Sequence, residues 1–345
     1  MIKLARDIGV DLGTANVLVY VSGKGIVLNE PSVVALDTDT GKVRAVGLEA
    51  QRMLGRTPGN IRTVRPLRDG VIADYDVTQK MLGAFLTKAI GNRMLFRPRV
   101  MVCIPSGCTS VERRAVIDAV VDAGARKAYL IEEPMAAALG VGLSINEPRG
   151  NMVVDIGGGT TDVAILSLGG VVTSDSIRIG GDKFDDAIIK YVKRHHNLLI
   201  GERTAEDVKK SIGTVHPSGR KENGDELQME VRGRDMIAGL PKTAFITSSQ
   251  CAEALAEPVD AIVDTIRAVM ERTPPELVAD IIERGIVLTG GSALMHGLDR
   301  YVMKGTGVPV LLPEDPLACV ALGTGKAFED FETLEDQVVV MKRVM

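Results

Sequence analysis

Short apolar runs that end at an acidic residue or a glycine alternate along this chain with stretches whose apolar positions recur at helical spacing. Residues 8–12 (I-G-V-D-L) and 152–156 (M-V-V-D-I) are two such runs, interrupted by Asp11 and Asp155. Each passes through a glycine turn into a second apolar run, 17–21 in one case and 163–166 in the other, an order that predicts strand, tight turn, strand. Residues 25–46 continue the β pattern with D-T-D-T-G as a turn, so a small β-rich subdomain is expected over about residues 30–65. A helix is predicted over 79–89 and a buried strand over 99–104. Thr109 and Glu112 then have the spacing of a capping box, opening a helix that ends near Gly124. A further strand over 127–131 runs into Glu132 and Glu133, and Pro134 opens a small-residue helix reaching 142.

The second half repeats this plan. Its hairpin extends over 152–179 and ends in I-G-G-D-K-F-D, with a helix predicted from 185 to about 196 and another over 202–212. Residues 221–235 are polar with alternating apolar positions, which suits a small insert of β character. A long helix over 252–271 precedes T-P-P-E-L, and a strand over 285–288 delivers Thr289, Gly290, Gly291 and Ser292. Strands alternating with helices predict α/β sheets, whose ligand sites lie beyond the carboxyl ends of the strands. A chain of 345 residues suits two domains, each here carrying one glycine hairpin.

V-D-L-G-T-A-N (10–16) and V-D-I-G-G-G-T-T-D (154–162) are two copies of one device. A glycine hairpin lets backbone N–H groups converge on an anion, and an Asp at its mouth sits where a hydrated divalent cation could be held. Neither loop contains Lys or Arg, so a phosphate there must be neutralised by backbone dipoles and a metal. Two facing copies point to Mg-ATP gripped between two related domains. Glycines that merely made tight turns would not require an Asp before each.

Glu132 and Glu133 face opposite ways on an extended backbone, so only one can enter a cleft. Glu133, beside the helix-opening proline, is the candidate to orient or deprotonate an attacking water; the plainer role for either is a charge at a helix N-terminus. Glu206 and Lys209 share a helix face and could together reach a ribose or base, although spacing alone favours a surface ion pair. In N-R-M-L-F-R-P-R, Met94, Leu95 and Phe96 are collared by Arg93, Arg97 and Arg99. An apolar tip in a basic collar suits a membrane of anionic lipid, and the competing reading tucks Leu95 and Phe96 into the core.

A net charge of −4 and 3% aromatic residues argue against nucleic-acid binding. No run approaches the length of a membrane span, and residues 1–6 are too few for a signal peptide, so a cytoplasmic location is expected. Cys103, Cys108, Cys251 and Cys319 read as buried or idle thiols. The adjacent His195 and His196 point in different directions on a helix and read as a solvated face.

D-L-G-T-A-N, I-E-E-P-M-A-A-A, D-I-G-G-G-T-T-D-V-A, G-E-R-T-A-E-D-V-K and L-T-G-G-S-A-L together resemble the MreB family of bacterial actin homologues. R-P-L-R-D-G-V-I-A-D and T-P-P-E-L-V-A-D-I-I-E-R-G-I extend the resemblance over residues 6–328. It implies an α/β, actin-like ATPase fold: two related domains with ribonuclease H-like sheet cores and smaller subdomains, closing on ATP. The expected division is 1–145 and 146–320, with small subdomains at about 30–65 and 182–243, and 321–345 returning to the first domain. By resemblance, Thr14, Ala15 and Asn16 meet the phosphates together with Gly157, Gly158 and Gly159. Asp11 and Asp155 serve Mg2+, with Asp155 also catalytic, and Glu133 serves the water. Glu206, Asp207, Val208 and Lys209 take the nucleoside; Gly290, Gly291, Ser292 and Ala293 lie on the adenine side.

The family polymerises into paired filaments on the inner membrane face and directs wall elongation in rod-shaped cells, with MreC and RodZ as expected partners. Three positions depart from its pattern: Asp162 for the usual Glu, Ser292 for the third glycine of T-G-G-G, and Ser211 for a common Glu. With no room for an N-terminal amphipathic helix, the 94–96 tip becomes the expected membrane anchor. Two other functions on this fold compete with a cytoskeletal ATPase. A small-molecule kinase would need a sugar-recognition motif, and none stands out. A monomeric nucleotide-driven switch would need a client-binding domain, and only 329–345 remain for one.

Overall fold

A computed structural model of the chain describes residues 7–91, 97–222 and 224–329, and the backbone of 339–340. The membrane candidates Met94, Leu95 and Phe96 lie outside the described residues.

The first sheet runs in the order Val339–Val340, Lys127–Glu132, Arg99–Ile104, Asp7–Leu12, Asn16–Val21, Gly25–Pro31. Its centre is parallel: Asp7–Leu12 lies parallel to Arg99–Ile104, which lies parallel to Lys127–Glu132, while Asn16–Val21 returns antiparallel. Such central strands are covered on both faces, which is why they read as nearly continuous apolar runs. Ile8, Val10 and Leu12 enter a core with Met81, Phe85, Ile117 and Val120 from the helices Tyr75–Ile90 and Ser110–Asp122. Tyr75–Ile90 starts four residues before its apolar pattern suggests, because the Asp74 side chain accepts the Val77 N–H and caps it. The Thr109–Glu112 capping box is present in both directions.

The second sheet has the order Gly170–Ile177, Thr161–Ser167, Asn151–Ile156, Ile286–Thr289, Val310–Leu311. Met152, Val154 and Ile156 enter a core with Phe184, Val208, Ile262 and Val302 from the helices Gly181–His196, Glu202–Ile212, Ser248–Glu271 and Leu298–Thr306. Gly181–His196 begins at Gly181, four residues before the expected start at 185. The N–H groups of Gly181 and Asp182 donate to the carbonyls of Gly157 and Gly158, so acceptors distant in sequence cap the helix.

The opposite faces of the two sheets share a third core. Met101, Cys103 and Ile131 of the first sheet and Val153, Ala164 and Val287 of the second pack with Met135, Ala136, Ala137, Ala138 and Val320. The helices Glu133–Val141 and Cys319–Lys326 form this layer, apolar all round as a buried helix must be. Their backbones touch: a Cβ on Gly140 would run into the Cys319 carbonyl, and one on Gly323 into that of Ala136. Lys326 Nζ donates to the carbonyls of Leu139 and Gly140, both at 3.0 Å, closing the helix C-terminus.

Each sheet carries a smaller satellite. Val34–Asp37 pairs with Val43–Val46 and Ile61–Val64 over a small core containing Val33, Ala35 and Ala50. Gln228–Asp235 pairs with Pro241–Thr247 and Leu198–Leu199. His195 stacks on Tyr191 with ring centroids 4.2 Å apart, whereas His196 is half-buried with its Nε2 buried and, among the described residues, without a hydrogen-bond partner, so the solvated-face reading fails for His196.

Candidate nucleotide site

Strand alternation builds the site. With Ile8, Val10 and Leu12 facing one core, Gly9 and Asp11 face the layer between the sheets, and Asp155 does so opposite Val154 and Ile156. Both carboxylates sit at carboxyl ends of central strands. A cavity of about 460 Å³ opens there, lined from one side by Asp11, Thr14, Ala15 and Asn16 and from the other by Asp155, Gly157, Gly158 and Gly159. That volume falls in the range of small-ligand sites.

The two hairpins meet tip to tip. A Cβ on Gly158 would lie 2.6 Å from the Ala15 Cβ, and one on Gly159 would strike Thr14 Oγ1 and lie 2.9 Å from the Gly70 nitrogen. Only glycine permits this approach. Thr14 Oγ1 accepts the Gly70 N–H at 3.0 Å, fixing the first tip.

Glu133, Asp155 and Asp162 are buried and Asp11 is half-buried; among the described residues none of the four is ion-paired to Lys or Arg. Burial, then the Asp155 charge, pushes Asp11 up to about 7, against a pull from the Cys103 thiol. Burial raises Asp155 to about 6, opposed by the Thr289 hydroxyl, which donates to its Oδ1 at 2.8 Å. Asp162 is raised to about 7, again by burial, although the Ser106 N–H donates to its Oδ1 at 2.8 Å. Glu133 is pushed well above the usual range by burial and then by Asp162, Asp155 and Asp11. Asp162 leads the neighbouring acids that raise it, and Asp162 Oδ2 has no hydrogen-bond partner among the described residues.

Among the described residues no three acidic, histidine or cysteine side chains converge closely enough to ligate one ion directly. The donor set fits a hydrated divalent cation, whose own waters span the gaps. These raised groups bind protons more tightly in the folded chain than in the unfolded one, so stability is lost as pH rises between the unfolded and folded values. In EDTA the chain should therefore melt several degrees higher at about pH 5.5 than at about pH 8, and Mg2+ with nucleotide should close the gap. Thermal melts at the two pH values check this; a higher melt at the alkaline value would contradict the carboxylate account.

Glu133 lines the cavity, while Glu132 turns away to Arg113 at 3.0 Å. Gly290, Gly291 and Ser292 also line it, and Ala293 lies instead in the second-sheet core. The Ser292 hydroxyl donates to the Gly157 carbonyl at 2.8 Å, so the departure from glycine ties the third turn to the second hairpin. Glu206 and Lys209 reach the cavity with different partners: Glu206 pairs with Lys210 at 2.6 Å, and Lys209 Nζ donates to Asp185 and to the Gly181 carbonyl, both at 2.9 Å. Of the same stretch, Asp207 is exposed and Val208 is in the core, neither on the cavity wall.

Sequence reasoning missed Arg65, Asp185, Lys210, Arg220 and His296, all in the cavity wall. Arg65 also makes a 3.6 Å ion pair with Glu202 across the cleft mouth. It stands in R-P-L-R-D-G, a stretch that carried resemblance but no chemical motif of its own.

Two sheets related by duplication, with their glycine hairpins facing across a cleft, define a protein of the actin-like fold. Among solved structures, MreB5 of Spiroplasma citri bound to AMPPNP aligns with TM-score 0.89 and 40% identity, covering 97% of this chain and 99% of that one. A double helical filament of MamK aligns at 0.79 with 23% identity, a likeness of fold. The family profile described as MreB/Mbl protein matches residues 5–336. Mbl of Bacillus subtilis, a cell shape-determining protein, is 55% identical over 330 residues, covering 96% of this chain and 98% of its own. MreB of Escherichia coli, also named cell shape-determining, is 55% identical over 331 residues, covering 94% of each. The chain belongs to the MreB/Mbl family.

Proposed function

We propose that this chain is an ATP-hydrolysing, filament-forming cytoskeletal protein that determines rod shape from the inner face of the cytoplasmic membrane. The observation that carries the reading is the cavity between two matching hairpins, with carboxylates where a cation would sit and backbone where phosphates would. Relatives named for cell-shape determination, and MreB5 structures holding AMPPNP and ADP, support it.

The backbone of Thr14, Ala15 and Asn16 and of Gly157, Gly158 and Gly159 would hold the phosphates from both domains. Asp11 and Asp155 would hold Mg2+ through its waters, and that ion would supply the positive charge both hairpins lack. Glu133, kept strongly basic by its surroundings, would orient the attacking water and take its proton. Glu206 and Lys209 would border the nucleoside, with Gly290, Gly291 and Ser292 opposite. On this reading 1–145 and 146–320 are the closing bodies, and 321–345 belongs with the first: Cys319–Lys326 packs on its strands, and Val339–Val340 pairs with Lys127–Glu132.

Among the described residues no helix is long and apolar enough to cross a membrane. Attachment would rest on the 94–96 tip meeting anionic lipid. Replacing Leu95 and Phe96 with Ser should abolish liposome co-sedimentation without unfolding the chain; undiminished binding would remove the tip as the anchor. Self-association into paired filaments, and wall-synthesis partners such as MreC and RodZ, complete the proposal.

The deciding experiment images purified protein with Mg-ATP on an anionic lipid monolayer by negative-stain electron microscopy, with nucleotide-free and lipid-free controls. Paired filaments on lipid are expected. Dispersed particles that still hydrolyse ATP would favour the monomeric switch or the kinase.

A further inference from the structure

Asp11 and Asp155 are each flanked, on the neighbouring parallel strand, by a side chain that donates to them. In the second sheet Thr289 is the register partner of Asp155, and its hydroxyl donates to Asp155 Oδ1 at 2.8 Å. In the first sheet Val102 is the register partner of Val10, so Cys103 lies beside Asp11, and its thiol donates to Asp11 Oδ1 at 3.4 Å. Cys103 is 2% exposed and Thr289 fully buried, so water supplies neither bond. Neither residue lines the cavity, so neither can act on a ligand except through its aspartate. The match between the two halves thus extends behind the hairpins to a donor that engages one oxygen of each carboxylate.

We infer that Cys103 and Thr289 are a matched pair of positioning residues that orient Asp11 and Asp155 toward a hydrated divalent cation. The inference rests on the Mg-nucleotide reading of the cleft. A carboxylate with one oxygen held from behind is no longer free to turn about its terminal torsion, so its other oxygen is preset and a cation does not have to order it. The two halves are unequal. A hydroxyl is a full hydrogen-bond donor and a thiol a weak one, so Thr289 carries more of the effect than Cys103.

The test measures the Mg2+ concentration that gives half of the thermal stabilisation by AMPPNP, using the full chain and the variants T289V, T289S, C103A and C103S. T289V should raise that midpoint about tenfold, as loss of an outer-shell partner does elsewhere, and T289S should restore it. C103A should raise it in the same direction by less, and C103S should match or improve on the parent. A structural role alone would lower the melting temperature by the same amount at every Mg2+ concentration and leave the midpoint in place, which would overturn the inference. If T289V does not fold, T289A and the Cys103 pair read the same quantity. A parent chain with no Mg2+-dependent stabilisation would overturn the nucleotide reading and this inference with it. A parent that responds, with T289V and C103A midpoints coinciding with its own, would overturn the inference alone.

Discussion

Asp155→Ala is expected to abolish Mg-dependent ATP turnover in a chain that remains folded. Asp155 is buried at a strand end beside its cross-strand neighbour Asp162 and close enough to Asp11 and Glu133 to raise their proton affinity, and among the described residues none of the four is ion-paired to Lys or Arg, so removing it relieves repulsion among the remaining three. The structural cost is the Thr289 hydroxyl left without its acceptor, about 1–3 kcal/mol for a buried donor. That loss is within the margin of an ordinary domain. On the proposed function catalysis has no such margin, because both hairpins lack Lys and Arg and would depend on the cation that Asp155 would help to hold. Turnover should fall by about a thousandfold or more, the scale on which preorganised charge stabilisation operates. Phosphate release measured beside circular dichroism and a thermal melt checks this; parental turnover in a folded variant would remove Asp155 from the site.

Glu133→Ala should separate binding from chemistry. Glu133 opens the helix Glu133–Val141 as a buried carboxylate whose affinity for protons is raised by burial and three neighbouring acids. A group acting as base on water contributes about 10²- to 10⁴-fold to a rate, so turnover should fall by that factor. ATP affinity should persist or rise, since one like charge leaves the phosphate end of the cleft. On the proposed function, filaments formed by the variant should outlast those of the parent in limiting ATP. Hydrolysis at the parental rate would end the catalytic assignment and leave Glu133 as a charge at a helix N-terminus. The two variants therefore differ in kind: Asp155→Ala should lose its response to Mg2+, while Glu133→Ala should keep it.

Much of this molecule was legible in the order of its residues. The hairpins at Asp11 and Asp155 follow from short apolar runs meeting glycine, and the capping box at Thr109 and Glu112 from residues three apart. Family membership is legible for the same reason, since its motifs are contiguous strings. Partners were not. Glu206 and Lys209 are near neighbours, yet each bonds elsewhere, and Lys209 does so with residues 24 and 28 positions away. The helix at Gly181 starts early because Gly157 and Gly158 accept its first N–H groups. Ser292 reaches Gly157 over 135 positions, Thr289 reaches Asp155 over 134, and Cys103, read as a buried or idle thiol and found buried, reaches Asp11 over 92. Local backbone preference and apolar period act over a few residues and are written in the chain. Which donor meets which acceptor, and how far burial shifts a carboxylate's proton affinity, depends on strands and domains brought together by packing, and only the tertiary structure decides it.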